Sequence, residues 1–303
     1  MTQFHLFGAT TGTGESFRVK AISEFPDYRL FPYSRRPREL SPGFHCVDFN
    51  SPETFHPAGA SSAPSVWISF GPIWLFAPFF ERLASSYPVR VSNLVGLIAC
   101  SSSSVLTKRF ASNPFDRELA SRLEHSENQL LSACRRLGVG CRILRPSIIY
   151  GQVSCYSDRN LSRLLRILQC LPLFPVPSDS GLRQPIHASQ LAAVALCLAR
   201  QVAGSGWTSD LPECIALGGD TNLSYKAMIL ALQQALPPSD PARRCRLLPI
   251  PNRLFFLLAA PLLLRSPKAF ESVLRMGANL SGFTPAHELL GCEPQPFPVL
   301  PLA

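Results

Sequence analysis

The sequence lacks several patterns that would assign it at once to a class of protein. No two of its ten cysteines are separated by just two residues, which excludes the paired-cysteine motifs of zinc sites and thioredoxin-like sites. No run of five or six basic residues occurs despite the net charge of +9, so the concentrated basic stripe typical of nucleic-acid binding is missing. The expected charged partner is therefore a small anion, such as a cofactor or a substrate phosphate, and not a nucleic acid.

Long hydrophobic runs are also missing. The most apolar segment, residues 254–264, is shorter than the ~20 residues that a spanning helix requires, and Pro261 interrupts it. We expect a buried or packing helix there, with peripheral contact to a membrane surface as the alternative. No secretory leader precedes Gly8, and several cysteines lie within apolar runs, so a reducing cytoplasm is the expected location.

What the sequence does contain fits one large globular unit. With 46% hydrophobic and 16% charged residues over 303 positions, the chain can bury a sizeable core. Short apolar runs alternate with helical stretches through the first half, which predicts an α/β fold with a doubly wound parallel sheet. We expect a dinucleotide-binding core over residues 1–150 and a smaller mixed substrate lobe over residues 151–303, with elements that return to the core.

A glycine cluster follows the first apolar run, Phe4–Phe7, and a predicted helix over Thr13–Glu24 comes after it. Glycines let a backbone approach phosphates without a Cβ clash, and a helix N-terminus offers free N–H donors. The spacing Gly-x-x-x-Gly-x-Gly is one residue longer than the common dinucleotide fingerprint, and an ordinary strand-to-helix turn is the alternative. The predicted phosphate-binding residues are Gly8, Thr10, Thr11, Gly12, Thr13 and Gly14.

Further motifs appear downstream in a fixed order. With them the sequence resembles the extended or atypical short-chain dehydrogenase/reductases of the NAD-dependent epimerase/dehydratase group, over nearly its whole length. The motifs are the glycine cluster, Asp48, the strand that ends in Ser101–Ser104, Leu144–Gly151, Gln184–Ala192 and Gly218–Tyr225.

The resemblance implies a nicotinamide dinucleotide and assigns residues to it. The adenine would lie near Asp48 and Phe49. The nicotinamide end would lie along the fourth strand's end, and a turn after a later strand would close over it. The residues assigned to the nicotinamide end are Ser69, Phe70, Gly71, Pro146, Ser147 and Ile148.

The end of the second strand decides which dinucleotide is expected. An acidic residue about 20 positions beyond the glycines would bind the ribose hydroxyl of NAD. This sequence has Ser34, Arg35 and Arg36 there, and arginine suits a 2′-phosphate. NADP is therefore favoured over NAD, with a solvated arginine pair as the alternative.

The sequence departs from the family at its catalytic pair. The family uses a tyrosine and a lysine four residues later, whereas the matching positions here hold Glu118 and Arg122. Glu118 could accept a proton if its pKa were raised in a dry cleft. Ser102 and Ser103 match the family's donor to a substrate oxygen, and Tyr150 is a weaker substitute for the missing tyrosine.

Three functions remain open from the sequence. The leading hypothesis is an epimerase- or reductase-like enzyme that acts on a nucleotide-sugar or a related polyol. The alternative is a catalytically degenerate NAD(P)-binding protein with a regulatory or assembly role, and the third is an oxidoreductase at a membrane surface. The resemblance further implies a homodimer, and no metal cluster is expected.

Overall fold

The computed structural model describes residues 1–35, 43–158, 160–204, 206, 211–261, 264 and 266–299. Its strands are β1 (Gln3–Phe7), β2 (Arg29–Ser34), β3 (His45–Cys46), β4 (Ser65–Ser69), β5 (Leu94–Cys100), β6 (Gly140–Pro146), β7 (Ile149–Tyr150), β8 (Gln152–Val153), β9 (Tyr156–Ser157), β10 (Leu173–Pro177), β11 (Leu182–Arg183), β12 (Ile186–His187), β13 (Cys214–Gly218), β14 (Leu223–Ser224), β15 (Arg246–Ile250) and β16 (Thr284–Pro285). Its helices are α1 (Gly12–Glu24), α2 (Ile73–Ser86), α3 (Ser104–Thr107), α4 (Pro114–Leu137), α5 (Asn160–Cys170), α6 (Ala188–Gly204), α7 (Tyr225–Ala235), α8 (Asn252–Ala259), α9 (Pro267–Leu274) and α10 (Ala286–Leu290).

Among these described elements, eight strands form one parallel sheet in the order β3-β2-β1-β4-β5-β6-β13-β16. From β1 the strands β2 and β3 are added on one side, and β4, β5 and β6 are added on the other side, so β1 and β4 are neighbours. The order of strand addition therefore switches direction between β1 and β4. In open parallel sheets, ligands bind beyond the carboxyl ends of the strands at such a switch point. The predicted doubly wound α/β fold is confirmed.

Both faces of the sheet are covered by helices, and β1 shows why. Its side chains alternate between the two faces. The Phe4 ring lies 6.4 Å from that of Phe17 in α1, whereas the Phe7 ring lies 5.3 Å from that of Phe76 in α2. Since Phe4 and Phe7 point to opposite faces, α1 and α2 cover opposite sides. All five residues of β1 are buried, as expected for a central parallel strand.

A proline lies inside β2 without breaking it. The carbonyl groups of Tyr33 and Ser34 accept from Ala9 on the β1 side and from Val47 on the β3 side. Pro32 faces the same side as Ser34, where β3 pairs only with Tyr33 and Ser34. The missing N–H of Pro32 therefore interrupts no described ladder hydrogen bond.

The proline-rich segment around residues 172–177 differs from expectation. The three prolines there predict an irregular stretch, but residues 173–177 form β10 and pair in parallel with β15. A two-stranded ribbon leaves one edge of each strand unpaired, so a proline can turn its missing donor outward.

The chain divides into two compact units. Unit 1 comprises Met1–Ser103, Ser121–Pro146 and Ala188–Ala216, and unit 2 comprises Ser104–Ala120, Ser147–His187 and Leu217–Ala303. Unit 1 holds strands β1 to β6, the helices α1, α2 and α6, and most of α4. Unit 2 has its own core, formed around Leu168, Val176, Ile229 and Leu232.

The apolar segment at residues 254–264 begins within α8. A buried or packing helix was expected there. Helix α8 packs against β10, but Phe255 is its only buried residue, and Leu257 and Leu258 are exposed. In the part of the chain that the structure describes, no helix combines the length and the apolarity needed to cross a membrane.

Candidate functional site

The turn after β1 brings two backbone segments into direct contact. Gly8 has φ +73°, and a Cβ atom there would lie 2.7 Å from the amide nitrogen of Gly71. Neither the left-handed backbone nor this approach tolerates a side chain. The first strand and the segment after β4 can therefore meet only through glycine.

A second close approach fixes the start of α1. A Cβ atom on Gly14 would lie 2.3 Å from the carbonyl oxygen of Gly8 and 2.9 Å from the Cα of Ala9. The helix therefore begins directly against its own entry turn, and the turn and the first helical turn form one rigid cradle.

The hydroxyl of Thr11 closes this cradle. It donates to the carbonyl of Gly8 at 2.9 Å and accepts from the amide of Gly14 at 3.0 Å, which makes Thr11 the N-cap of α1. Within the described residues, the amides of Gly12 and Thr13 make no backbone hydrogen bond. Free amides at the positive end of a helix are the donor set that a diphosphate requires, so the residues present fit a dinucleotide.

The carboxyl end of β2 lies beside this loop. The hydroxyls of Thr10 and Ser34 are hydrogen-bonded at 3.1 Å, which joins the glycine turn to β2. Arg35 follows and is exposed, whereas Arg36 lies outside the described residues. The position where an acidic residue would select NAD is therefore occupied by a serine and an exposed arginine.

Asp48 and Phe49 follow β3. One carboxylate oxygen of Asp48 accepts from the backbone amide of Asn50 at 3.0 Å and from its side chain at 3.2 Å, so this residue stabilises its own turn. The ring of Phe49 packs 5.0 Å from that of Phe79. A Cβ on Gly71 would lie 3.0 Å from the Phe49 ring, so Phe49 and Gly71 fit closely together.

Two buried hydroxyls lie at the ends of neighbouring strands. Ser69 ends β4 and Ser101 follows β5, and within the described residues neither hydroxyl has a hydrogen-bond partner. A buried, unpaired polar group costs about 1–3 kcal/mol, so such groups are normally satisfied by a ligand or water. Ser101 was missed by the sequence interpretation, which assigned function to the next two serines instead.

The predicted substrate-binding serines, Ser102 and Ser103, are half-buried. The amide of Ser103 donates to the carbonyl of Pro146 at 2.9 Å, and that of Ser101 donates to the carbonyl of Leu144 at 2.7 Å. The serine segment thus continues the pairing of β5 with β6, which fixes its backbone.

Glu118 and Arg122 in α4 are both exposed. The guanidinium of Arg122 stacks over the ring of Trp74 at 4.4 Å. Leu119, Leu123 and Glu127 follow at intervals of four residues and therefore share another face of the helix. The structure does not bring Glu118 and Arg122 into a common contact.

A buried ion pair joins α4 to β6. Glu127, whose side chain is 1% exposed, accepts from the guanidinium of Arg145 at 3.1 Å and 2.5 Å. Burial lowers the pKa of Arg145, but the hydrogen bonds and charge of Glu127 outweigh it and raise the pKa above its usual value. This pair was missed in the sequence, where the signal was a glutamate on an apolar helix face.

The turn after β6 is held by backbone hydrogen bonds. Pro146 is buried at the end of β6. The amide of Ser147 donates to the carbonyl of Leu217 at 2.8 Å, and the amide of Ile186 donates to that of Ile148 at 2.9 Å.

Tyr150 is not arranged as a catalytic base. Its hydroxyl accepts from the amide of Val299 at 2.9 Å. Burial raises the pKa of Tyr150 to about 12, against the effect of the hydrogen bond from Val299, so the phenol stays protonated at neutral pH. The geometry favours an architectural role for this residue.

Unit 2 contains a charged cluster at the start of α4. Asp116 binds Lys108 at 2.7 Å and Asn113 at 3.1 Å, and Arg275 lies 3.4 Å away. Burial raises the pKa of Asp116, but the hydrogen bonds from Lys108 and Asn113 and the two positive charges together lower it below the usual value. Among the described residues, no group of three or more histidine, cysteine or acidic side chains is arranged to hold a metal ion.

Comparisons with known proteins give structural likeness without sequence likeness. No family model matches the sequence, and no curated protein matches it either. Solved structures, in contrast, are similar over almost the whole chain. A nucleoside-diphosphate-sugar epimerase from Staphylococcus aureus has 14% identity, covers 97% of each chain and gives a TM-score of 0.61.

Two further structures show the cofactors of such proteins. Triphenylmethane reductase from Citrobacter sp., solved with NADP(H), has 13% identity and a TM-score of 0.60, and covers 97% of this chain and 96% of its own. MoeE5, solved with UDP-glucose and NAD, has 14% identity and a TM-score of 0.57, and covers 97% and 94%. The chain shares the doubly wound α/β fold of these epimerase and reductase structures, as the sequence resemblance predicted.

Proposed function

We propose that this protein binds NADP at the end of β1 and acts as an epimerase or a reductase on a nucleotide-sugar. The single observation that carries the proposal is the cradle formed by Gly8, Thr11 and Gly14. It excludes side chains at two points and leaves the amides of Gly12 and Thr13 available. The structural similarity to triphenylmethane reductase, solved with NADP(H), and to MoeE5, solved with UDP-glucose and NAD, supports the cofactor class.

The other residues of the site would take the following roles. Ser69 and Ser101 present buried hydroxyls that lack partners among the described residues, and they would donate to or accept from a bound group. When bound, the nicotinamide supplies hydride exchange. Ser102 and Ser103 would hold a substrate oxygen. Glu118, which matches the position of the family's tyrosine, is exposed and would accept the substrate's proton only if the bound substrate shielded this carboxylate from water.

The preference for NADP rests on Arg35. An arginine can grip a 2′-phosphate with two parallel hydrogen bonds, whereas the ribose hydroxyl of NAD needs an acceptor. The hydroxyl of Ser34 is already bonded to Thr10, and Arg35 is exposed at the strand end.

The test is calorimetric titration with NADPH and with NADH. Arg35→Asp should weaken NADPH about 10- to 100-fold, the value of one charged hydrogen bond, and should weaken NADH far less. Arg29→Asp is the matched control, because Arg29 is exposed at the opposite end of the same strand. Equal binding of both nucleotides by wild type and by Arg35→Asp would reject the NADP assignment, and no binding of either would reject the cofactor proposal.

A second candidate function is cofactor binding without hydride chemistry. It is favoured by α4, which contains no tyrosine and no lysine, and whose Glu118 and Arg122 are exposed. Turnover of NADPH with UDP-glucose and related nucleotide-sugars separates the two candidates. If turnover occurs, Glu118→Gln should reduce the rate strongly while Glu124→Gln, on the same helix, should not. Tight NADPH binding without turnover of any substrate would support the second candidate.

A further inference from the structure

Unit 2 carries an unusually exposed set of leucines, here called the leucine patch. Single exposed apolar residues are common on protein surfaces, whereas a sequence-local group of them marks an interaction site. The patch includes the 94%-exposed Leu264 just beyond α8. Its members and their exposed fractions are Leu248 (48%), Leu254 (48%), Leu257 (69%), Leu258 (63%) and Leu264 (94%).

The helix α8 presents its apolar side to solvent. Leu254, Leu257 and Leu258 are spaced by three and four residues, so they form one stripe on the helix surface. All three are exposed, whereas Phe255, on another face, is buried. An amphipathic helix in a globular protein normally buries such a stripe against the core, whereas α8 exposes its stripe to solvent.

The adjacent two-stranded ribbon of β10 and β15 also exposes apolar side chains. Helix α8 packs against β10, and β10 pairs with β15. In this ribbon Leu173 is opposite Arg246, and Pro175 is opposite Leu248. All four residues are exposed, so the outward side of the ribbon is apolar with one cation.

The segment of chain that contains most of the patch carries charge of one sign only. Residues 243–268 contain six lysines and arginines and no aspartate or glutamate. Of these cations, Arg243, Arg244, Arg246, Arg253 and Lys268 are described and exposed. The acidic groups packed nearby are Asp179, whose backbone binds Asn252 at the start of α8, and Glu271, which faces Arg275 at 3.8 Å.

We propose that the leucine patch docks unit 2 onto the surface of an anionic lipid bilayer. A stripe of leucines flanked by arginine and lysine is the pattern of helices that lie in the interface plane, with their apolar side among the acyl chains. The uninterrupted positive charge favours an anionic surface, because each cation near such a surface strengthens binding about fivefold. A second copy of this chain would bring the same cations together on an isologous interface, which opposes self-association through this patch.

Flotation with lipid vesicles tests the proposal on the full chain without added nucleotide, so its outcome is independent of the proposed function. Vesicles of phosphatidylcholine and phosphatidylglycerol in equal parts are compared with vesicles of phosphatidylcholine alone. Wild type should float with the anionic vesicles and be released by high salt. The double variant Leu257→Ser/Leu258→Ser should lose at least tenfold in partitioning, and Arg246→Glu/Arg253→Glu should lose about as much.

The matched control is Ile22→Ser/Val89→Ser in unit 1, where the exposed fractions are 56% and 81%. This variant should float like wild type, and circular dichroism should show that all variants fold. The proposal is overturned if wild type does not float, or if the leucine variant floats as well as wild type. It is also overturned if ultracentrifugation shows a dimer that the leucine variant dissociates while vesicles bind neither protein.

Discussion

Replacement of Gly14 by alanine tests whether the cradle at the start of α1 binds the cofactor. In an isolated helix this change would stabilise by about 0.5–1 kcal/mol, because alanine loses less backbone freedom than glycine. Here the new Cβ would lie 2.3 Å from the carbonyl oxygen of Gly8, where no flexible side chain can move aside. Overpacking of this kind costs about 1–3 kcal/mol, so we expect a small net loss of stability.

The effect on binding should be larger than the effect on stability. Relief of the contact requires the helix start to move away from the turn, which displaces the amides of Gly12 and Thr13. Loss of one hydrogen bond to a charged phosphate corresponds to about 1.5–3 kcal/mol, or roughly 10- to 100-fold in affinity. Isothermal titration calorimetry with NADPH measures this directly, and thermal unfolding measures the cost to the fold.

Gly204→Ala provides the matched control. Gly204 is the last residue of α6, and a Cβ there would meet nothing within 4 Å. This variant should keep its affinity for NADPH and unfold at the same or a slightly higher temperature. If Gly14→Ala binds NADPH as tightly as Gly204→Ala does, the closely packed turn does not hold the diphosphate.

Three further predictions concern buried charge. Burial, with a smaller effect of the charge on His45, lowers the pKa of His5 to about 3 from 6.5. Between those pH values the unfolded chain binds a proton at this histidine and the folded chain does not. The free energy of unfolding is therefore highest above about pH 6.5 and decreases as the pH falls, by up to roughly 5 kcal/mol. In urea unfolding at several pH values, the free energy of unfolding of His5→Phe should decrease less than that of wild type below pH 6.5. An equal decrease in both proteins would show that His5 does not cause the loss. Glu127→Gln should destabilise the fold by about 3–5 kcal/mol, because it leaves Arg145 buried without a counter-charge. Replacement of both residues by methionine should recover most of this loss in the same urea assay. The folded pKa of Asp116 is lowered, so its ionised form stabilises the fold above the unfolded pKa of 3.8, and this stabilisation is lost as the pH falls through the lower folded pKa. Asp116→Asn should therefore lower the melting temperature at pH 7 and lower it by less at pH 3.

The fold could be predicted because its signals are local and repeated. The first apolar run, expected as a strand at Phe4–Phe7, is observed at Gln3–Phe7, and the helix expected at Thr13–Glu24 is observed at Gly12–Glu24. The ribbon strand β10 could not be found, because proline density indicates irregular structure unless the unpaired edge is known.

The site was only partly accessible from the sequence. Glycine spacing located the phosphate-binding turn, but the use of Thr11 as both donor and acceptor is a tertiary detail. The orphaned hydroxyl of Ser101 lies in a run of four serines, and nothing in that run distinguishes the buried one. Similarly, the pair formed by Glu127 and Arg145 depends on how α4 packs against β6, since the two residues are 18 positions apart.

The strand lengths across the sheet have a consequence for aggregation of the folded protein. The central strands β5 and β6 have seven residues each, whereas the outermost strands β3 and β16 have two each. A sheet grows onto a neighbouring molecule through unpaired backbone groups along a long, flat border strand. Both described edge strands have only two residues, so few unpaired backbone N–H and C=O groups are available to pair with a strand of a second molecule. The long apolar strands lie inside the sheet, where both of their edges are already paired.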